Sequence, residues 1–266
     1  MSQPADRHLF LSPHYDDTSL SCGGTVALLT SRGHRPEIAL MFGDSPDPEA
    51  SLTPFARYLH REWGMEAGQV IDGRRAEEAA AAARIGASDV YLPFRDAIYR
   101  SSAYDSNDAI FGQPVALDAN LPATIVDSLE RTFDLPHNAF IYAPLAIGEH
   151  VDHQIGFLTG MLLHNAGYTV RFYEDLPYAL SREKFERRMD AIGGTVETAE
   201  SVAIGEVWET KIDAIMAFPS QLKVIFESYV GVDATRASIS EALRSYAEAI
   251  GHGVPVERFW KASGVS

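Results

Sequence analysis

The sequence predicts an α/β chain with a Rossmann-like, doubly wound and mostly parallel sheet flanked by helices. Three observations lead there. Short apolar runs of extended character recur along the first two thirds of the chain. Longer helical patterns separate them, so strand and helix alternate as a parallel sheet requires. No convincing linker breaks the alternation, and 266 residues fit one large domain spanning 1–266.

The run at 8–12 (HLFLS) reads as a buried strand, and the turn-like PHYDD leads from it into a helix over 20–32. A second strand is expected at 37–42 (EIALMF), followed by a loop rich in Pro and Asp. Helical character is mixed over 55–63 and strong over 73–86, where alanine is dense and Gly86 suits a C-terminal cap. Strands follow at 89–94 (DVYLPF), 139–144 (AFIYAP) and 169–174 (TVRFYE). A helix over 121–133 carries Pro122 in its first turn, and another runs from His150 to about 165. The remainder is less patterned, with helices expected near 211–218 and 238–250.

Bulk properties exclude several functions. A formal charge of −15, from 37 acidic and 22 basic residues, repels phosphate backbones and argues against nucleic acid as partner. It also opposes stable association with anionic membranes, and no apolar run is long enough to cross a bilayer. The polar stretch 1–8 does not read as a signal peptide. One cysteine, Cys22, excludes an internal disulfide framework and suits a cytoplasmic location. A homo-oligomer is compatible with the sequence, which fixes no oligomeric state.

Functional groups in open parallel sheets collect beyond the C-terminal ends of strands. Two segments bring unusual chemistry there: Ser12 to Asp17 (SPHYDD) after the first strand, and Gly148 to His153 (GEHVDH) after the fourth. A catalytic zinc site uses three protein ligands, and His14, Asp17 and His153 supply two nitrogens and one carboxylate. Adjacent side chains diverge, so Asp16 faces the reacting water as general base while Asp17 binds the ion. The competing reading of Asp16-Asp17 is an ordinary helix N-cap. Such a His₂Asp set accepts Fe²⁺ or Co²⁺ as well as Zn²⁺. The segment 172–178 (FYEDLPY) ends the fifth strand and offers rings and carboxylates, with Glu174 and Asp175 as candidate sugar contacts.

These motifs resemble the PIG-L/LmbE-like de-N-acetylases. The first family signature, Pro-His-x-Asp-Asp-Glu running on into Leu-x-Cys-Gly-Gly, is matched from Pro13 to Gly24. The second, His-x-Asp-His, is His150 to His153. An Arg-x-x-Glu helix ending in a Leu-Gly-like pair is matched by Arg74, Glu77 and Ile85-Gly86, and a late Lys-to-Gln pattern by 211–221. The resemblance implies zinc at His14, Asp17 and His153, with Asp16 as base in hydrolysis of an N-acyl, in the first instance N-acetyl, group of an amino-sugar derivative. It implies His150 opposite the metal as electrophile or acid, Asp152 orienting His150 or a metal ligand, and Arg74 and Asp96 holding sugar hydroxyls.

Two positions depart from the family pattern. Thr18 replaces the usual glutamate, and Phe218 stands where histidine is usual and reads as a core residue. Cys22 reads as buried packing, and His34, His60, His137, His164 and His252 lack companions at metal spacing. The alternatives are an amidase cleaving another amide of a glycoside-linked molecule, and a non-catalytic sugar-binding homologue. The loops at 43–51 and 98–113, the second reading as a lid, hold the substrate specificity.

Overall fold

His8–Ser12 (β1) is buried at every position, the mark of a strand covered by helices on both faces. The computed structural model describes residues 7–46, 51–64 and 69–263, so the stretch 1–6 and part of the 43–51 loop lie outside the described residues. The other strands are β2 (Glu37–Leu40), β3 (Ser88–Tyr91), β4 (Phe140–Pro144), β5 (Thr169–Tyr173), β6 (Val196–Ala203) and β7 (Val256–Ala262). Among the described residues they form one sheet in the order β3-β2-β1-β4-β5-β7-β6. The first five are parallel, and β7 and β6 close that edge antiparallel.

The longer helices are α1 (Asp17–Ser31), α2 (Pro54–Glu62) and α3 (Val70–Ile85) in the first half of the chain. One-turn helices α4 (Ala97–Arg100) and α5 (Asn107–Ile110) lie within the loop after β3, before α6 (Leu121–Phe133) and α7 (Val151–Asn165). Then come α8 (Arg182–Ile192), α9 (Trp208–Ile215), the short α10 (Pro219–Leu222) and α11 (Arg236–Ile250). The five parallel strands expected from sequence are present, with ends shifted by a few residues. β6, β7 and α8 were not anticipated.

Strand alternation divides the core into two layers. Phe10, Ile38 and Tyr142 pack with Cys22, Val26, Ala81, Ile85, Ala214 and Phe218, on the side of α1, α3 and α9. Leu9, Leu11, Ile141 and Ala143 pack with Ile125, Leu129, Ile155 and Phe157, on the side of α6 and α7. Cys22 and Phe218 are therefore core residues, as expected.

Helices on both faces make β1 and β4, neighbours of opposite winding, the switch point of the sheet. A crevice opens there beyond the strand ends. The segment after β1 and the segment after β4 meet at that point. Glycines set how closely α7 approaches: a Cβ on Gly156 would stand 2.6 Å from Pro144 Cγ, and one on Gly160 2.7 Å from Phe172 Cε1. The helix whose first turn carries His153 thus lies hard against β4 and β5. On the other face Glu77 Oε1 and Oε2 accept from Ser220 N and Oγ, pinning α10 to α3.

Gly160→Val is expected to destabilise the fold by about 1–3 kcal/mol, because Phe172 and Ala143 leave no room for overpacking. Thermal unfolding reads this out as a fall of several degrees. An unchanged midpoint would contradict the close packing of α7.

Candidate active site

Asp16 occupies the N-cap position of α1, yet its side chain makes no capping hydrogen bond. Asp17 Oδ2 instead accepts from His14 N at 2.7 Å, folding the Pro13-to-Asp17 turn. The ordinary N-cap reading of the pair therefore fails for Asp16, whose carboxylate lines the cleft. The segment after β4 is a tight turn in which Ala146, Gly148 and Glu149 all have positive φ, at 65°, 92° and 62°. Backbone held in that region costs free energy and concentrates at functional sites. Here it delivers His150, the N-cap of α7, whose Nδ1 accepts from Asp152 N at 3.2 Å. Nε2 of the neutral ring is then its N–H and is free to donate.

His14, Asp17 and His153 come together as expected. Asp17 Oδ2 lies 3.6 Å from His14 Nδ1 and 3.3 Å from His153 Nε2. Ligand bonds of about 2.0–2.2 Å around a tetrahedral ion put donor atoms about 3.3–3.6 Å apart; both Asp17 distances match this, and the three donor atoms all lie within 4.8 Å of one another. The second face of each imidazole is held by a carboxylate. His14 Nε2 meets Asp152 Oδ2 at 3.1 Å, and His153 Nδ1 meets Asp175 Oδ1 at 2.7 Å. Such bonds fix the tautomer and raise ligand basicity.

Electrostatics agree with a cation site. Burial alone would lower His14, but Asp96, Asp152 and Asp17 together push it up to about 9. Burial and the adjacent Asp17 push Asp16 up to about 6, against the pull of Arg74. Burial, reinforced by His14, lowers His150 well below the ordinary imidazole value and keeps it neutral. Burial would raise Asp152, yet Arg100 and His14 hold it well below the usual carboxylate range. His14, His150 and Asp152 also cluster at metal-ligand distances. Arg100 places a fixed positive charge on Asp152 at 2.6 Å, which disfavours a cation there and makes the first set the better candidate to hold one.

The cleft over this centre has about 620 Å³ of free space, open to solvent at its mouth. Arg74 and Asp96 both line it. The Arg74 guanidinium lies between the rings of Tyr15 and Trp63, 4.8 and 4.9 Å from their centroids, and 3.9 Å from Asp16 Oδ2. Asp96 caps α4 with Oδ1 and brings Oδ2 to 3.6 Å from His14 Nε2. Thr18 is fully buried and does not line the cleft, so the departure there leaves the site's wall unaltered.

Asp152 is wholly buried and its carboxylate meets His14, the second of the two partners expected for it. Two expected substrate contacts sit elsewhere. Asp175 bonds His153 and accepts from Ile147 N at 2.8 Å, which leaves no oxygen for sugar. Glu174 points to the other side of the strand end, where its carboxylate accepts from Arg258, Trp260 and Tyr246. Successive side chains diverge at a strand end, and neither carboxylate opens on the cleft.

Sequence reading passed over several lining residues. Phe111, Tyr178 and Tyr229 form an aromatic wall with centroids 5.4–6.0 Å apart. Gln221 stands in the cleft because Ser220, to which its Nε2 donates, is fixed by Glu77. The late Lys-to-Gln pattern was the available signal for Gln221; Tyr178 closes the 172–178 segment and Phe111 lies in the 98–113 loop, whereas Tyr229 carried no signal.

Residues 9–161 match the family model described as PIG-L, GlcNAc-PI de-N-acetylase. The chain belongs to the PIG-L family. It is a hydrolase of amide bonds. A 2'-N-acetylparomamine deacetylase of Niallia circulans is 30% identical over 199 residues, covering 70% of this chain and 72% of that protein. The enzyme of the same description from Streptomyces fradiae is 31% identical over 221 residues, 81% and 73% of the two chains. In fold, the chain resembles a deacetylase of the teicoplanin biosynthetic pathway, with a TM-score of 0.80 at 23% identity, over 98% of this chain and 100% of that one. No helix among the described residues is long and apolar enough to cross a membrane.

Asp175→Asn is expected to weaken Zn²⁺ binding about 10–100-fold, since it removes the carboxylate behind His153. Competition against a chromophoric chelator measures this. Wild-type affinity in the variant would assign Asp175 to packing alone.

Proposed function

We propose that this family member hydrolyses the N-acetyl group of a glycosidically linked amino sugar, with Zn²⁺ held by His14, Asp17 and His153. The observation that carries this reading is Asp16: its carboxylate caps nothing, faces the cleft and stands beside a complete ligand set. The 2'-N-acetylparomamine deacetylases, with 30% and 31% identity, support an N-acetylated amino-sugar substrate. Fe²⁺ and Co²⁺ suit the same donors. A single buried thiol, Cys22, supports a cytoplasmic location.

When bound, the ion supplies Lewis acidity at the amide carbonyl and eases deprotonation of water. Asp16 accepts the proton of the attacking water, a role its raised affinity for protons favours. His150, neutral and with Nδ1 occupied, donates Nε2–H to the carbonyl oxygen as negative charge develops there. Because a neutral imidazole is a poor acid, Asp16 returns the proton to the departing nitrogen. One water is consumed, and acetate and a free amine are released.

Arg74 and Asp96 hold sugar hydroxyls in this reading. The Arg74 Nε makes no hydrogen bond among the described residues, and the guanidinium is braced by two rings. The Phe111, Tyr178 and Tyr229 rings offer faces to the apolar side of a pyranose.

Asp16→Asn is expected to lower kcat about 10²–10⁴-fold while zinc content stays stoichiometric. Amine release from a panel of N-acetylated amino sugars, with metal analysis of the same samples, is the measurement. Wild-type turnover in the variant would remove Asp16 from the chemistry. No release by the wild type from any N-acetyl sugar would overturn the substrate class.

A further inference from the structure

Asp152 is where two parts of the molecule meet. Its Oδ2 accepts from Ala97 N at 3.0 Å and faces His14 Nε2 at 3.1 Å, while Oδ1 accepts from Arg100 Nη2 at 2.6 Å. Arg100 in turn grips Asp118 with two parallel bonds, Nε to Oδ1 at 3.0 Å and Nη2 to Oδ2 at 2.9 Å. Nη1 donates to Arg95 O at 2.7 Å. The guanidinium face lies 5.0 Å from the Phe42 centroid and 5.6 Å from that of Tyr104. Tyr104 closes the set, donating its hydroxyl to Asp118 Oδ2 at 2.6 Å and accepting from Val115 N.

Every nitrogen of Arg100 thus makes at least one hydrogen bond within the protein, and Arg100 is not among the residues that line the cleft. Asp118 and Asp152 are almost wholly buried, and two carboxylates so placed are tolerable only with the guanidinium between them. A bidentate pair also fixes direction, which a single ammonium would not. Ala97, Arg100, Tyr104 and Asp118 all belong to the segment 97–118, whose Ile98, Ile110 and Phe111 line the cleft.

We infer that Asp118 and Arg100 are positioning residues that tie the 97–118 wall of the cleft to the metal ligand His14 through Asp152. The wall and the ligand then behave as one unit. With Arg100 in place, Asp152 holds the His14 ring with Nδ1 turned toward Asp17 and His153. Without it, Asp152 loses its strongest partner, and the ring loses its fixed orientation. Linkage makes the coupling reciprocal: a docked wall favours metal, and metal favours the docked wall. This inference rests on the metal reading of His14, Asp17 and His153.

The test uses the full chain stripped of metal and titrated with Co²⁺ or Zn²⁺, in wild type, Arg100→Gln, Arg100→Lys and Asp118→Asn. Visible spectra of the Co²⁺ forms read the ligand field directly. Hydrogen exchange over 97–118, with and without Zn²⁺, reads the wall. In wild type, Zn²⁺ is expected to slow exchange across 97–118. Arg100→Gln should shift the cobalt bands, weaken metal binding at least 10-fold and abolish the metal-linked protection. Asp118→Asn should do the same to a lesser degree, and Arg100→Lys should restore affinity only in part, since one ammonium cannot span both carboxylates. If Arg100→Gln fails to fold, Asp118→Asn and Tyr104→Phe carry the same comparison. Variants that are less stable yet keep the wild-type cobalt spectrum and the metal-linked protection would overturn the inference. A wild type that binds neither metal would instead sink the metal reading beneath it.

Discussion

The structure depends on how buried negative charge is held around two imidazoles. Asp17, Asp152 and Asp175 are each nearly excluded from water and each within reach of His14 or His153. Carboxylates in that state are costly unless positive charge and hydrogen bonds compensate them. Arg100 compensates Asp152, and Asp175 is bonded by Ile147 N and His153. Among the described residues Asp17 is met by the backbone N–H of His14 and the two rings, an arrangement that suits a cation between them. Asp96, Asp152 and Asp17 together lift the proton affinity of His14 against the effect of burial.

Fold and site are linked through the sheet's switch point. The chain leaves β1 into the turn carrying His14, Asp16 and Asp17, and leaves β4 into the strained turn carrying His150 and His153. Neighbouring strands of opposite winding leave those two exits side by side with a crevice between them. Close contact of α7 through Gly156 and Gly160 fixes the depth at which His153 sits, and Asp175, at the exit of β5, reaches it from the next strand.

Much of this was legible in sequence, for physical reasons that also explain what was not. Strands buried on both faces, such as 8–12, announce themselves by unbroken apolarity, and the two signatures follow such strands directly. β6 is an edge strand with most positions exposed, so its VETAESVA offers neither an apolar run nor clean alternation. β7 and α8 were missed with it, although Ser181 caps α8 and Gly193 ends it in the left-handed conformation. α1 starts at Asp17, three residues before the apolar pattern that begins at Leu20, and its cap residue Asp16 makes no side-chain capping bond that would mark the start. Composition marked Glu174 and Asp175 as polar groups at a strand end but could not say which way they point. Arg100 and Asp118 lie 18 positions apart in a segment with no periodicity, and only tertiary structure joins them.

The most direct measurement is X-ray absorption at the zinc edge of the zinc-loaded wild-type protein. The account predicts one ion per chain in a shell of nitrogen and oxygen donors at about 2.0–2.1 Å, with multiple-scattering features of two imidazoles. A sulfur shell, fewer than two imidazoles, or a protein that retains no zinc would contradict it.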